Sequence, residues 1–440
     1  MDRRAFFTLA AASSLVLAAC SDPGAAPAGG DATPAGWPSA STKLDGVTLT
    51  VWAAQNSNTV PKVVVEAFQK ATGAKVDVVT ITDPYEQSVQ TKIATGDKPD
   101  LAFWQPTASM LSSINAKTNL QPLTGAPWVA ATEKSLQDLT GIYDDVRYAA
   151  LISTPAVIGV YYNKQVLQDA GITATPADWT ELVAAAQKLK AAGKVPFFEM
   201  GGNDGSPWAT QWWVQAQLAE QAQAGLWKRV NAAQEKFTDP AVVTTIQNYK
   251  DLIDQGMFNA DIKTATFEDQ GKALLDGSAA MVMQVNSFFA QLQSLAQTDE
   301  LNQKIGFFPI STEGTTGTFI PDQSNALVAF RSGDDKREAA TRQLLAYWLG
   351  DGYQAFVEDQ KTVSLQPDVA TPAGVPEALK AVAEALKTSV GSMQVEAVAN
   401  PDLYLRLGEM IQGALTPEKV AEQVQAQFAQ LAAAQGIKGF

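Results

Sequence analysis

Histidine is absent from this 440-residue chain, and cysteine occurs once, as Cys20. Two branches of site chemistry go with them. No Ser-His-Asp or Cys-His nucleophile system can be assembled, and no metal site can rest on imidazole or on a thiolate cluster. A metal would have to be held by oxygen alone. Carboxylates are then the obvious acid–base pairs, and a glycosidase would need two of them, about 5–9 Å apart across a cleft. With 46 acids in the chain some pair always lies close, and no motif singles one out. There is no glycine-rich phosphate loop of the P-loop or dinucleotide type. Tyr161-Tyr162 offers phenolates to iron, but the pair sits in the apolar run Val157 to Tyr162, and dedicated oxygen sites gather several acids. No catalytic set, no metal and no cofactor is expected.

What the sequence does supply is aromatic rings beside amides and acids, at strand ends and turns. Trp104-Gln105 ends an apolar strand just before Pro106, and Gln55-Asn56-Ser57-Asn58 follows the first strand. Asn203-Asp204-Gly205-Ser206-Pro207-Trp208 follows the Val195–Met200 strand, and Asn286-Ser287-Phe288-Phe289 follows Met281–Val285. In open α/β sheets, ligands bind outside the carboxyl ends of the strands, where these groups fall. Their chemistry fits a sugar. A pyranose packs its C–H face on an aromatic ring, while amides and carboxylates accept from its hydroxyls and amides also donate. Trp179 and Trp348 lie on apolar helix faces and read as core.

The elements that must position these groups alternate. Val47 to Trp52 is a β-branched strand, Thr59 to Ala71 a helical pattern closed by Gly73, Lys75 to Thr80 a strand, Pro84 to Ala94 a helix, and Asp100 to Trp104 a third strand. That order predicts a parallel sheet covered on both faces. Thr175-Pro176-Ala177-Asp178 reads as a helix start, with Trp179, Leu182, Val183, Ala186 and Leu189 on one face and Gly193 as the stop. Asp239-Pro240 opens a second such helix, with Val242, Ile246, Tyr249 and Ile253 inward and Gly256 beyond its end. After Ser332 the chain is mostly helical.

Length and composition agree with two domains around a substantial core: 46% of residues are hydrophobic and 18% charged. Lysine and arginine number 32 against 46 acids, so a nucleic-acid partner is not expected. Arg3-Arg4 precedes the apolar run Ala5 to Ala19, which is too short for a permanent membrane span. Leu17-Ala18-Ala19-Cys20 resembles the bacterial lipobox, implying a signal peptide over 1–19 and lipidation of Cys20. Asp2 to Phe7 also resembles a twin-arginine export signal, although paired basic residues open Sec signals too. Ser21 to Thr42 is almost all Ala, Gly, Pro, Ser, Thr and Asp, and reads with Cys20 as a flexible tether of roughly 25 Å root-mean-square reach. The protein is expected outside the cytoplasmic membrane, touching it only through the lipid anchor.

Across residues 43–440 the chain resembles the family 1 extracellular solute-binding proteins, the sugar receptors of ABC importers. The resemblance rests on Pro99-Asp100 with the apolar strand after it, on Ser153 to Lys164 with its Tyr-Asn-Lys turn, on Pro176 to Trp179, and on Gly271-Lys272 with Gly277 to Met281. It implies an α/β fold of two lobes forming a type II clamp, each a mostly parallel sheet flanked by helices and each split in sequence. Lobe one would span 43–153 and 324–362, lobe two 156–320 and 366–440, with hinges near 153–155, 320–323 and 362–366. It implies as ligand contacts Gln55, Asn56, Trp104, Gln105, Thr154, Asn203, Asp204, Trp208, Asn286, Phe288, Asp322, Gln323 and, loosely, Tyr404. Gln105 stands where many members carry an acid, and Phe288 where they usually carry a stacking Trp. The implied partners are a carbohydrate and the permease subunits of an ABC importer, with the receptor a monomer. Two other readings stay open: a secreted lipoprotein glycosidase or lyase using a carboxylate pair, and a sensor or adhesion subunit of the same fold.

Overall fold

The β-branched run after Gly46 becomes β1 (Thr48–Ala54), buried over its last four residues and paired in parallel with β2 (Lys75–Ile81) and β3 (Leu101–Phe103) in a computed structural model of the protein. The structure describes residues 37–440 except 55–59, 83–84, 202–206 and 321–324. The helices between these strands, Lys62–Thr72 and Tyr85–Ala94, match the apolar periodicity of the sequence. The first closes on Gly73 at φ 82°, a left-handed cap that glycine enters at no steric cost. A short hairpin, β4 (Ile142–Tyr143) and β5 (Val146–Arg147), precedes β6 (Ala149–Leu151).

The chain then leaves for a second sheet. Its central strand is β7 (Ala156–Asn163), followed by β8 (Val195–Phe197), β9 (Ala279–Gln284), β10 (Ile305–Phe308) and β11 (Thr318–Ile320). β12 (Ala326–Ala329) returns to the first sheet, and β13 (Val390–Gly391) rejoins the second. The first sheet has the order β2-β1-β3-β12-β6 and the second β13-β11-β7-β9-β8, with β10 also on β7.

Each sheet is mixed. β12 runs antiparallel to β3 and to β6, and β7 runs antiparallel to β9, β10 and β11. The expectation of mostly parallel sheets therefore describes β1, β2 and β3 and the pairs β8–β9 and β11–β13, but not the pairings of β7 and β12. The reason is geometric. β6 takes the chain out of the first sheet and β12 brings it back alongside, so neighbours must point in opposite directions; β7 and β11 stand in the same relation in the second sheet. Asn325 staples the two passages together: its carbonyl accepts from Ile152 N–H at 2.7 Å and its amide donates to the Thr154 carbonyl at 2.9 Å.

The third passage lies later than expected. Leu365 N–H donates to the Tyr353 hydroxyl and its carbonyl accepts from Glu133 N–H, while the Gln366 amide donates to the Leu349 carbonyl. All three partners belong to the first lobe. Beyond them the Gly374 carbonyl accepts from the Thr298 hydroxyl, and the helix Glu377–Leu386 packs on β10.

Two further differences are local. The helix read from Thr175 starts at Trp179, because Asp178, not Thr175, caps it by accepting from Glu181 N–H at 2.8 Å. The helix Pro240–Asp254 starts where Asp239-Pro240 places it and buries Val242, Ile246 and Tyr249. At the other end, residues 37–42 are pinned to the first lobe rather than loose. Trp37 meets Trp128 edge-on at 4.9 Å and donates its indole N–H to the Thr124 carbonyl, and the Gln343 amide donates to the carbonyls of Ala40 and Thr42. Among the described residues no helix is long and apolar enough to cross a membrane.

Candidate functional site

Side chains of a strand alternate between faces, and that alternation sorts the junction between the lobes into two sides. On β3, Phe103 packs toward Trp348, while Trp104, next in the chain, sends its indole N–H to the Met110 carbonyl on the helix Ala108–Ser113. On β7, Val157 and Tyr161 pack with Phe288, Phe289 and Phe307, whereas Ile158 and Val160 join the other core of the second lobe. On the Trp104 side, the helix Ala108–Ser113 approaches the turn Met393–Glu396 across the junction. On the Phe103 side lies a cavity of about 290 Å³, lined by Ile152 to Thr154, Asn286, Ser287, Phe289, Asn325 and Lys361 to Val363. Among the described residues, parts of two passages between the lobes, Ile152 to Thr154 and Asn325, therefore line one space.

The sequence-predicted residues divide between these sides. Thr154 and Asn286 line the cavity. Asn286 Oδ1 accepts from Val157 N–H at 2.8 Å, which fixes the first turn after β9 against the start of β7. Thr154 is 8% exposed, and its hydroxyl has no hydrogen-bond partner among the described residues. Gln105 donates to Glu86 at 3.3 Å, at the start of the helix Tyr85–Ala94. Trp208 is half-buried, with ring contacts to Trp212 at 6.1 Å and Phe267 at 5.5 Å. Tyr404 opens a helix, Leu403–Gln412, that packs on the single turn Trp208–Gln211, and its carbonyl accepts from the Thr210 hydroxyl. Trp208 and Tyr404 are thus brought together from 196 residues apart in sequence.

Two expected stacking platforms are core residues instead. Trp104 and Phe288 each have 0% of their surface accessible. Trp104 is at the end of β3, where its indole is spent on Met110; Phe288 is enclosed by Tyr161 and Phe267. Neither ring presents a face to a ligand here. Gln55, Asn56, Asn203, Asp204, Asp322, Gln323 and Cys20 lie outside the described residues.

Sequence reasoning missed two polar groups in the second lobe. One is a chain of buried amides: Gln215 and Gln394 both donate to Gln211 Oε1, and Gln215 Oε1 accepts from Met393 N–H. The other is Glu199, at the end of the run that begins with β8. Burial pushes its carboxyl up to about 7, against the pull of three donors, Met200 N–H, the Trp213 indole and the Tyr249 hydroxyl. An acid inside an apolar run, Phe197-Phe198-Glu199-Met200, was the available signal. Burial likewise raises the Tyr161 phenol, which sits among Phe288, Phe289 and Phe307 rather than at a metal. Among the described residues no three acids or thiols gather to hold a metal ion. The cavity is lined by the polar side chains of Ser153, Thr154, Asn286, Ser287 and Asn325 beside Phe103 and Phe289, with Lys361 also in its wall.

Comparison with known proteins supplies the context. Residues 53–355 match a protein family described as bacterial extracellular solute-binding protein. A binding protein of Brucella abortus is 25% identical over 291 residues, which is 59% of this chain and 67% of that one. Lipoprotein LipO of Bacillus subtilis is 23% identical over 312 residues, 64% of this chain and 59% of its own. Among solved structures, a chitin oligosaccharide binding protein aligns with a TM-score of 0.69 at 22% identity, over 88% of this chain and 99% of its own. RafE in complex with raffinose aligns with 0.69 at 17% identity, over 88% of this chain and all of its own. The fold is that of these two-lobe proteins.

Proposed function

The chain belongs to the bacterial extracellular solute-binding protein family, and from that premise we propose that it is a carbohydrate receptor, which holds a mono- or oligosaccharide between its lobes and delivers it to the permease of an ABC importer. The observation that carries this reading is the composition of the junction. Half-buried Trp208 opens the turn Trp208–Gln211, on which the helix carrying Tyr404 packs and whose Gln211 accepts from Gln215 and Gln394, and a sugar needs rings and neutral hydrogen-bonding groups together. Structural neighbours named for chitin oligosaccharide and for raffinose point the same way. The receptor acts as a monomer, is anchored by a lipid on Cys20, and binds without transforming its ligand. We propose Gln105, Trp208 and Tyr404 as the ligand's contacts, with Gln55, Asn56, Asn203, Asp204, Asp322 and Gln323 as further ones, while Thr154 and Asn286 line the cavity where the chain crosses.

A thermal-shift panel of mono-, di- and oligosaccharides, followed by calorimetry, tests this reading. Ligand at 100 times Kd adds about 2.7 kcal/mol to the native state, enough to see as a rise in melting temperature. A panel without any such rise defeats the carbohydrate assignment. Chromatography of the same incubations judges the alternative of a glycosidase or lyase, which requires products.

A further inference from the structure

The run that begins with β8 ends in an acid that pairs with no cation among the described residues. Glu199 is 1% exposed, and its described partners are all hydrogen-bond donors. Met200 N–H donates to Oε1 at 2.8 Å; the Tyr249 hydroxyl donates to Oε2 at 3.1 Å, and the Trp213 indole N–H donates to the same oxygen. A carboxylate buried this way is costly, and it is kept here by three donors that an apolar side chain would leave unsatisfied. The three donors come from three places: the chain leaving β8, the helix Trp212–Gln217 and the helix Pro240–Asp254. Trp213 and Tyr249 lie stacked, 5.6 Å apart and 6° from parallel, so the acid sits at the shared edge of two fixed rings.

The tie reaches the ligand face by two short arms. In one direction Glu199 holds Trp213 in the first turn of a helix, and the turn directly before that helix is Trp208–Gln211. In the other, Met200 leads to Gly201, whose N–H donates to the Ile262 carbonyl and whose carbonyl accepts from the Gln412 amide. We propose that Glu199 is a positioning residue: its carboxylate ties the end of this run to the helix that follows Trp208, and so sets where the Trp208 ring stands between the lobes. This role rests on the reading of Trp208 as a ligand contact. A glutamine at 199 keeps the shape but offers one acceptor oxygen. Its NH₂ must then face either Met200 N–H or the Trp213 indole, donor against donor, and that end of the tie opens.

Hydrogen exchange on the full chain tests the tie without any ligand. Glu199→Gln should exchange faster than wild type across 207–213, with β1 unchanged; equal rates across 207–213 overturn the proposal. Calorimetry with raffinose and a chitin oligosaccharide as probes, at a temperature where each variant is fully folded, tests the consequence. Glu199→Gln should bind about tenfold more weakly, as for one charge-assisted hydrogen bond lost, and should add nothing in a Trp208→Ala background. An unchanged Kd, or the same tenfold loss on top of Trp208→Ala, overturns the positioning role. If neither probe binds wild type, or Trp208→Ala binds as wild type does, the sugar reading or the assignment of Trp208 fails, and the exchange rates still decide whether Glu199 holds the tie.

Discussion

An indole contributes to binding only through surface that a ligand can reach, so Trp208 and Trp104 carry opposite expectations. Trp208→Ala should weaken sugar binding by about 2 kcal/mol, roughly thirtyfold, as truncation of an aromatic anchor does. Trp104→Ala removes a fully buried ring and the indole N–H bond to the Met110 carbonyl, which keeps the Ser113 hydroxyl. It should cost about 3–5 kcal/mol of stability and leave affinity, measured by calorimetry on the folded fraction, unchanged. The reverse pattern would move the site to the helix Ala108–Ser113. Glu199 gives a pH signature. Its carboxyl is raised from 4.5 to about 7 by burial, so the folded state binds this proton more tightly than the unfolded chain. The contribution to stability is full below pH 4.5, declines as pH rises through about 7, and amounts to about 3 kcal/mol at most. Tyr249 borders the acid directly, and Asp261 borders it through Asn259. Urea unfolding of wild type and Glu199→Gln at pH 5 and pH 8 checks it: the variant should gain on wild type at the higher pH, and a constant difference would contradict a buried, titrating acid.

At the scale of elements, β7 shows how closely the second lobe is built. A Cβ on Gly159 would stand 2.5 Å from the Phe307 ring and 2.7 Å from the Phe308 carbonyl, because β10 runs antiparallel beside β7 and ends there. Gly159→Val should therefore cost about 1–3 kcal/mol through overpacking, seen as a lower melting temperature. A variant as stable as wild type would mean that β10 can move away. The N-terminal segment makes a second test at this scale. Residues up to Thr42 read as tether, yet from Trp37 onward they are bound to the first lobe by an indole and by the Gln343 amide. Cys20→Ala should release the protein from membranes or leave it unprocessed, since two or more acyl chains at about 0.8 kcal/mol per buried CH₂ make a stable anchor. A mature-size variant that still sediments with membranes would refute the anchor.

At the scale of the whole molecule, we propose that the passages of chain between the lobes act as a hinge, the motion by which periplasmic binding proteins close around a ligand. A ligand shifts such an equilibrium only by binding one state better than the other. Small-angle scattering should show a smaller radius of gyration with the correct sugar, and an unchanged profile at saturation would argue against a clamp. Much of this architecture is written locally. The Gly73 cap, the Asp239-Pro240 helix start and the apolar run of β7 each depend on neighbours within a few residues, so the sequence alone determined them, and with them the solute-binding fold. Burial is different in kind, because it is decided by residues far apart in the chain. Phe288 is enclosed by Tyr161 and Phe267, Glu199 is held by Tyr249 from 50 positions away, and β12 lies against β6 only because the chain has visited the other lobe in between. Which aromatic rings fill the core, and which acid is buried, were therefore settled by the tertiary structure.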